Sequence, residues 1–240
     1  MIEMKDCDIM IERALEEGRS SLLANEAHQI CNLHHIPTPR FYMTSNMHEA
    51  VLKAREIGFP VALKIISPQI LHKSDVGGVI LNVRGEQELE VQYEKMTAEI
   101  DKRAPSAKIL GVLVEKMMPP STEVIVGGIR DGQFGPSIMF GIGGIFTEIY
   151  NDVAFRVAPI DKIDAWNLIH DLKGSKILEG ARGKPPADLN SIINVLINVS
   201  SMITEHDTIS QLDLNPVIAY SDSVCAVDSR IVIGQREGGA

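Results

Sequence analysis

Cysteine is scarce in this chain, and its few cysteines are far apart. Cys7, Cys31 and Cys225 show no CxxC spacing, so the sequence suggests neither a disulfide framework nor a zinc site and favours a reducing cytoplasm. No apolar run reaches the roughly 18 residues that a membrane-spanning helix needs. The first ten residues carry acidic side chains where a signal peptide needs positive charge. We therefore expect a cytoplasmic protein that is neither exported nor inserted in a membrane.

Positive charge is also in short supply. The 240 residues include 23 Lys and Arg against 32 Asp and Glu, which gives a net charge of -9. Such a chain repels phosphodiester backbones and anionic lipids, so we expect neither nucleic acid nor a membrane surface as a partner. Apolar residues make up 45% and charged residues 23%, values typical of a globular protein that buries its core without disulfides or metals.

The hydrophobic pattern predicts a mixed fold, α+β or α/β, and the predicted secondary structure changes in character near residues 105–115. Helices and strands alternate before this point, β-rich runs follow it, and helices return later. We therefore predict two α+β lobes with a cleft between them. The main predicted elements are two short helices within 10–35, helices at 47–57, 86–103, 161–173 and 188–205, and strands at 61–66, 78–83, 108–117, 123–129, 137–140, 209–219 and 224–233.

A lysine interrupts the apolar strand predicted at 61–66. Strand alternation places Lys64 on the same face as Ala62 and Ile66, where a cation needs a partner or a path to water. One interpretation is a lysine that extends to solvent from an edge strand. The other is a contact to a phosphate group.

The loop after this strand contains His72, Lys73 and the pair Gly77 and Gly78. Paired glycines let backbone N–H groups turn toward an anion, although they also commonly precede a strand. An imidazole close to a bound phosphate is a known nucleophile, whereas a lone loop histidine is usually only solvated. Both interpretations stay open on the residues alone.

An apolar run at 112–118 ends abruptly at two prolines, which is the form expected of a hinge between lobes. We interpret its backbone edge as a possible adenine contact, although Met117 and Met118 are equally typical of core filler. Glu123 either binds a ribose or faces water. The glycine-rich stretch 141–148 favours either close approach of a ligand or a bulged sheet corner.

The last two predicted strands give a geometric prediction. A hairpin symmetrical about Ser221 and Asp222 pairs Asn215 with Asp228 and Asp213 with Arg230. Directly opposed residues have Cβ atoms about 4.5–5.5 Å apart, so the amide oxygen of Asn215 and the carboxylate of Asp228 suit a magnesium ion shared with water and phosphate oxygens. A polar sheet face with an ordinary ion pair is the alternative.

Taken together, these motifs resemble the ATP-grasp chain of nucleoside-diphosphate-forming acyl-CoA synthetases, in particular the β subunit of ADP-forming acetyl-CoA synthetase. Succinyl-CoA synthetase is a more distant relative. The resemblance runs from about residue 10 to 233 and is carried by FPVALKI, HKSDVGGV, VEKMMPPSTEVIVGGIRDGQFGP, MFGIGGIFTE, ARGKPPAD and LDLNPV.

The resemblance implies one ATP-grasp domain over residues 1–235, with nucleotide bound in the cleft between a smaller lobe of residues 22–112 and a larger lobe formed by 1–21 and 113–235. Residues 236–240 would be a flexible tail. The residues to which it assigns roles are Lys64, Gly77 and Gly78 at the phosphates, Glu115, Lys116, Met117 and Met118 at adenine, Glu123 at the nucleotide, Asn215 and Asp228 at magnesium, and His72 and Asp213 in catalysis.

The resemblance also implies the reaction acyl-CoA + ADP + phosphate giving acid + CoA + ATP. A phosphoryl group would pass from a phosphohistidine of a partner α subunit to His72 and then to ADP, while Asp213 steadies the phosphorylated ring. The cofactors would be ATP or ADP with Mg²⁺, and CoA would bind to the α subunit in an α2β2 heterotetramer. Two alternatives remain: a free-standing ATP-grasp carboxylate–amine ligase and a non-catalytic nucleotide-binding regulatory subunit.

Overall fold

A computed structural model of the chain describes residues 2–70, 72–143, 152–180 and 185–234. Within these residues every strand pairing is antiparallel, so the fold class is α+β. The elements in chain order are α1 (Ile2–Glu16), α2 (Ala24–Leu33), β1 (Phe41–Thr44), α3 (Met47–Ile57), β2 (Val61–Ile66), a 3₁₀ turn (Lys73–Val76), β3 (Val79–Val83), α4 (Glu86–Arg103), β4 (Gly111–Lys116), β5 (Thr122–Asp131), β6 (Gly135–Ile142), β7 (Val153–Val157), α5 (Lys162–His170), a second 3₁₀ turn (Ser175–Glu179), α6 (Leu189–Glu205), β8 (Ile209–Ala219), β9 (Val224–Ala226) and β10 (Ser229–Ile233).

The chain forms two compact units, which we call the smaller and the larger unit. From the sequence we placed the smaller lobe at 22–112, whereas the smaller unit comprises Leu23–Asn25 and Pro39–Pro119. Residues 26–38 belong to the larger unit together with 1–22 and 120–240. The reason is packing, since α2 buries Ala27, Ile30 and Cys31 in the core of the larger unit.

The smaller unit is a four-stranded sheet of order β1-β4-β2-β3. One face carries Leu63, Ile65 and Val114, which pack against apolar side chains of α3 and α4. Helix α3 begins where predicted, because the Asn46 side chain accepts the N–H of Glu49 at 2.9 Å. It ends at Gly58, whose φ of 84° is costly for any residue with a Cβ atom.

The larger unit is built on a sheet of order β10-β8-β5-β6-β7, with β9 beside β8. Helix α6 buries eight of its residues and shares one apolar core with α1, α2, α5 and the inner face of the sheet. Side chains of Asp161 and Asp188 cap the first turns of α5 and α6. Among the helices of the described residues, none is long and apolar enough to cross a membrane.

Three features differ from the sequence predictions. Helix α1 begins at Ile2, earlier than the predicted residue 10, and β7 was missed. The second strand of the predicted hairpin is divided into β9 and β10, with Val227 and Asp228 between them. The predicted tail at 236–240 and most of the glycine-rich stretch 141–148 lie outside the described residues.

Candidate functional site

A buried ion pair lies at the centre of the smaller unit's sheet. Lys64 Nζ is 2.7 Å from Glu115 Oε2, and the two side chains are 7% and 1% exposed. The strand register places Ala62 opposite Glu115, so Lys64 reaches Glu115 diagonally across the face that also carries Ile66 and Leu113. A cation held within an otherwise apolar face has a fixed position and a fixed partner.

This arrangement bears on two sequence interpretations. Strand β2 lies between β4 and β3, so Lys64 does not extend to solvent from an edge strand. Glu115, to which the resemblance gives a role at adenine, directs its carboxylate to Lys64 in this conformation, and its adenine role stays a prediction. The sequence held a signal for this pair, because Glu115 is the single acidic residue in the run Gly111–Met117 and strand pairing determines which cation it meets.

The predicted adenine-binding run also differs in its backbone. Strand β4 is paired on both sides, with β1 and with β2. The N–H of Lys116 donates to the carbonyl of Arg40 at 2.8 Å, and the N–H of Met117 donates to Pro60 at 3.1 Å. The Lys116 ammonium donates to the carbonyl of Gly58 at 2.8 Å. The N–H groups of Lys116 and Met117 are therefore already paired, and the adenine contact predicted for this run would have to use other backbone groups.

His72 is exposed and immediately precedes the 3₁₀ turn Lys73–Val76. The anion nest predicted for Gly77 and Gly78 does not form in this conformation, because both N–H groups donate within the turn, to Ser74 at 3.1 Å and to Lys73 at 2.7 Å. In this conformation the backbone angle at one glycine and close packing at the other account for the absence of a side chain. Gly77 has a φ of 73°, and a Cβ at Gly78 would lie 2.6 Å from the Ile65 side chain.

The predicted hairpin register in the larger unit is confirmed. Leu214 pairs with Ser229 on one side of the predicted contact and Val217 pairs with Ala226 on the other. Between these pairs, the N–H of Asn215 donates to the carbonyl of Asp228 at 3.2 Å. Asn215 and Asp228 are therefore directly opposed, and both are exposed. Two oxygen-bearing side chains at this spacing suit a hard divalent cation.

Asp213 lies two residues away on the same strand face and is half-buried. Its neighbours are Arg230 in β10 and Gly127 in β5. Burial raises the pKa of the Asp213 carboxyl, the Asp228 carboxylate raises it further, and Arg230 lowers it. At Gly127, a Cβ would lie 3.1 Å from the Met139 side chain, so Met139 occupies the space that a side chain at this position would need.

Glu123 is exposed near the start of β5. Its carbonyl accepts the N–H of Gly143 at 2.8 Å, and a Cβ at Gly143 would lie 2.9 Å from the Glu123 Cβ. Close packing of these two backbones therefore requires glycine at 143. The predicted site residues thus divide between the units: Lys64, His72 and 115–118 belong to the smaller one, and Glu123, Asp213, Asn215 and Asp228 to the larger one.

Comparison with known proteins identifies the class. A model of the ATP-grasp domain matches residues 13–233, and the chain belongs to this family. Over 224 residues the chain is 44% identical to the acetate–CoA ligase [ADP-forming] I subunit beta of Pyrococcus furiosus, covering 93% of this chain and 96% of that one. Within the ATP-grasp family, the chain therefore groups with the β subunits of ADP-forming acetate–CoA ligases, as the sequence resemblance predicted.

Solved structures agree with this grouping. An acetyl-coenzyme A synthetase 1 of Ca. Korarchaeum cryptofilum in complex with coenzyme A, Ca-AMPCP and HgCl+ matches with a TM-score of 0.91 and 44% identity, covering 92% of this chain and 97% of that chain. The same synthetase in complex with coenzyme A and Mg-AMPPCP matches with a TM-score of 0.84 and 42% identity, over 95% and 100%. In that second structure, a phosphohistidine segment points towards the nucleotide binding site.

Proposed function

We propose that this chain is the nucleotide-binding subunit of an ADP-forming acyl-CoA synthetase that acts on acetyl-CoA. The reaction is acyl-CoA + ADP + phosphate giving acid + CoA + ATP. The observation that carries the proposal is the 44% identity to an acetate–CoA ligase β subunit over nearly the whole of both chains. The directly opposed Asn215 and Asp228 support it independently, because two neighbouring oxygen-bearing side chains suit the Mg²⁺ that accompanies a nucleotide.

The partner in this proposal is an α subunit. The Pyrococcus relative is named as a β subunit, which implies a second kind of chain. We propose that the α subunit binds CoA and carries the first phosphohistidine, and that the assembly is an α2β2 heterotetramer.

The nucleotide is held by groups with fixed positions. We assign Lys64 to the phosphates, because its pairing with Glu115 keeps the ammonium in place within an apolar sheet face. Asn215 and Asp228 supply oxygen ligands that fit Mg²⁺, which commonly binds to one or two protein oxygens together with phosphate oxygens. When bound, the ion neutralises charge on the transferring phosphoryl group. The run 115–118 stays the proposed contact to adenine, and Glu123 the proposed contact to ribose.

His72 is the proposed phosphoryl carrier. One ring nitrogen attacks the phosphorus of the α-subunit phosphohistidine, so that one N–P bond forms as the other breaks. An oxygen of the ADP β-phosphate then attacks the same phosphorus, His72 leaves as neutral imidazole, and ATP forms. The exposure of His72 at the start of a short turn is what a carrier needs. Asp213 is proposed to hold the other ring nitrogen of the phosphorylated histidine in its protonated form.

The experiment is a test of phosphoryl transfer with the assembled subunits. The complex is incubated with acetyl-CoA and labelled phosphate, and the β chain is examined for acid-labile, base-stable label. We expect label on His72, and we expect His72→Ala to abolish ATP synthesis while the partial reactions on α continue. The matched control is His48→Ala, which removes another exposed histidine of the smaller unit.

The alternatives give different results. A carboxylate–amine ligase would release ADP only with an amine acceptor and would not need His72. A regulatory subunit would bind ATP and carry no covalent phosphate. Unchanged ATP synthesis by the His72→Ala complex would reject the relay.

A further inference from the structure

Three side chains of types that bind metals, from distant parts of the sequence, meet in the larger unit where α1 lies beside the C-terminal ends of α2 and α6. Cys7 lies in α1, His34 immediately follows α2, and His206 caps the C-terminus of α6. One donor atom from each of the three lies within 4.8 Å of the others. Cys7 and His206 are buried and His34 is half-buried. The sequence showed no metal-ligand spacing here, because these residues are far apart along the chain.

The two imidazoles point toward one another. His34 Nε2 is 3.0 Å from His206 Nε2, and the ring planes are nearly perpendicular, at 85°. Two Nε2 atoms at this distance share either one proton or one metal ion, since two N–H groups facing each other would repel. In a tetrahedral zinc site with Zn–N bonds of about 2.0–2.1 Å, two ligand nitrogens lie roughly 3.4 Å apart. Only a small movement separates the observed geometry from that arrangement.

A carboxylate orients the second histidine. Asp8 Oδ1 lies 3.0 Å from His206 Nδ1, so Nδ1 donates its proton to Asp8 and Nε2 keeps its lone pair. Metal-bound histidines usually have such a carboxylate or carbonyl on the other ring nitrogen.

The types of ligand indicate which metal ion this cluster would bind. A thiolate with two imidazoles favours zinc over magnesium or calcium, which prefer oxygen ligands. Asp8 is 52% exposed at its side chain and His34 is half-buried, so solvent reaches the cluster from this side. A water molecule is available for the fourth position.

We propose that Cys7, His34 and His206, with Asp8 behind His206, form a structural zinc site that ties α1 to the ends of α2 and α6. On binding zinc, Cys7 would release its thiol proton and His34 would change tautomer, so that the proton between the two Nε2 atoms moves to His34 Nδ1. This site is separate from the residues assigned to nucleotide and phosphoryl transfer, and its role is to hold the N-terminal helix on the larger unit. The alternative is a metal-free hydrogen-bonded chain from Asp8 through His206 to His34.

The test uses the full chain without a polyhistidine tag. The protein is stripped with a chelator, dialysed against ZnCl₂ and measured for bound metal and Tm. We expect one zinc per chain, and a Tm about 5–10 °C higher when free zinc is about 100-fold above its Kd. In a parallel sample, CoCl₂ should give the visible absorption of a tetrahedral site together with a thiolate-to-cobalt charge-transfer band.

Variants assign the ligands. Cys7→Ser should remove the charge-transfer band, and His34→Gln should abolish stoichiometric binding. Asp8→Asn, at an exposed position, should weaken zinc binding about 10- to 100-fold while the chain stays folded. Cys225→Ser and His48→Gln are the matched controls and should bind zinc like the unaltered chain.

A Tm that is the same with and without zinc would overturn the proposal in favour of the metal-free chain. So would a cobalt spectrum that is unchanged by Cys7→Ser. If Cys7→Ser does not fold, Asp8→Asn and His34→Gln still decide the question, because unchanged zinc affinity in both would exclude the site.

Discussion

Removing Glu115 while Lys64 remains should destabilise the smaller unit by about 3–5 kcal/mol, because a buried ammonium loses its partner. The side chains are 7% and 1% exposed, so solvent screening does not reduce this cost as it does for surface pairs. A typical domain has only about 5–15 kcal/mol of total stability. Glu115→Ala should therefore shift the urea midpoint strongly or prevent folding.

Replacing both charges should largely restore stability. A double variant, Lys64→Met with Glu115→Leu, buries two apolar side chains in place of the ion pair, an exchange that is often neutral or stabilising by about 1–4 kcal/mol. Urea unfolding followed by circular dichroism measures the four members of this cycle. As a control, removing the exposed pair Arg40 and Glu56, whose side chains are 54% and 43% exposed, should leave the midpoint nearly unchanged.

The same double variant separates structure from binding. If Lys64 contacts nucleotide phosphate, the stable double variant should still bind Mg-ADP about 10- to 150-fold more weakly, which corresponds to about 1.5–3 kcal/mol for a charge-assisted contact. Isothermal titration calorimetry measures this directly. A double variant as unstable as Glu115→Ala would refute the electrostatic argument, and one that binds Mg-ADP like the unaltered chain would refute the phosphate assignment.

Three further predictions concern the larger unit. Asp228→Asn should weaken Mg-ADP about 10- to 100-fold in calorimetry, and nucleotide affinity that is independent of magnesium would contradict the cation site. Hydrogen bonding, led by the Ser191 hydroxyl, lowers the pKa of the Asp188 cap, so its stabilisation is present above the ordinary pKa and is lost as pH falls through the folded pKa. Asp188→Ala should cost about 1 kcal/mol in urea unfolding near pH 7 and should flatten this acid dependence, whereas a pH profile that is unchanged would argue against the cap. Gly143→Ala should lower Tm because its Cβ would lie 2.9–3.0 Å from atoms of the neighbouring strand, whereas Gly132→Ala, with no atom within 4 Å, should not.

Local patterns predicted much of the fold. The strand Val61–Ile66 and the helices Met47–Ile57 and Glu86–Arg103 have the predicted bounds, because alternation, caps and glycine stops are short-range signals. The register of Asn215 with Asp228 was predictable for a similar reason, since a short symmetrical turn determines every pair beyond it. In contrast, β7 exposes the apolar side chains of Phe155 and Val157. Its solvent-facing side is therefore not polar, the alternation that indicates a strand is absent, and the strand was missed.

Long-range pairing explains the remaining differences. Nothing near Lys64 in the sequence shows that β4 lies beside β2, so neither its pairing with Glu115 nor the inner position of β4 was predicted. An even less predictable feature is the cluster of Cys7, His34 and His206, since only the packing of three helices brings these residues together. The sequence thus indicated the roles of separate segments better than it indicated which side chains neutralise one another.

Because the chain is synthesised from its N-terminus, the larger unit cannot complete its sheet until the last strands have been made. Residues Ser20 and Leu22 form backbone hydrogen bonds with Ile233 and Ile231 of β10, at 2.9 and 3.0 Å. At about 5–20 residues per second, this early segment waits roughly 10–40 s for its partner strand to be synthesised. The smaller unit, nearly all within 39–119, is complete well before that. Premature termination near residue 200 would therefore leave α1 and α2 without strands β8, β9 and β10 of their sheet, and such fragments are expected substrates for chaperones and proteases.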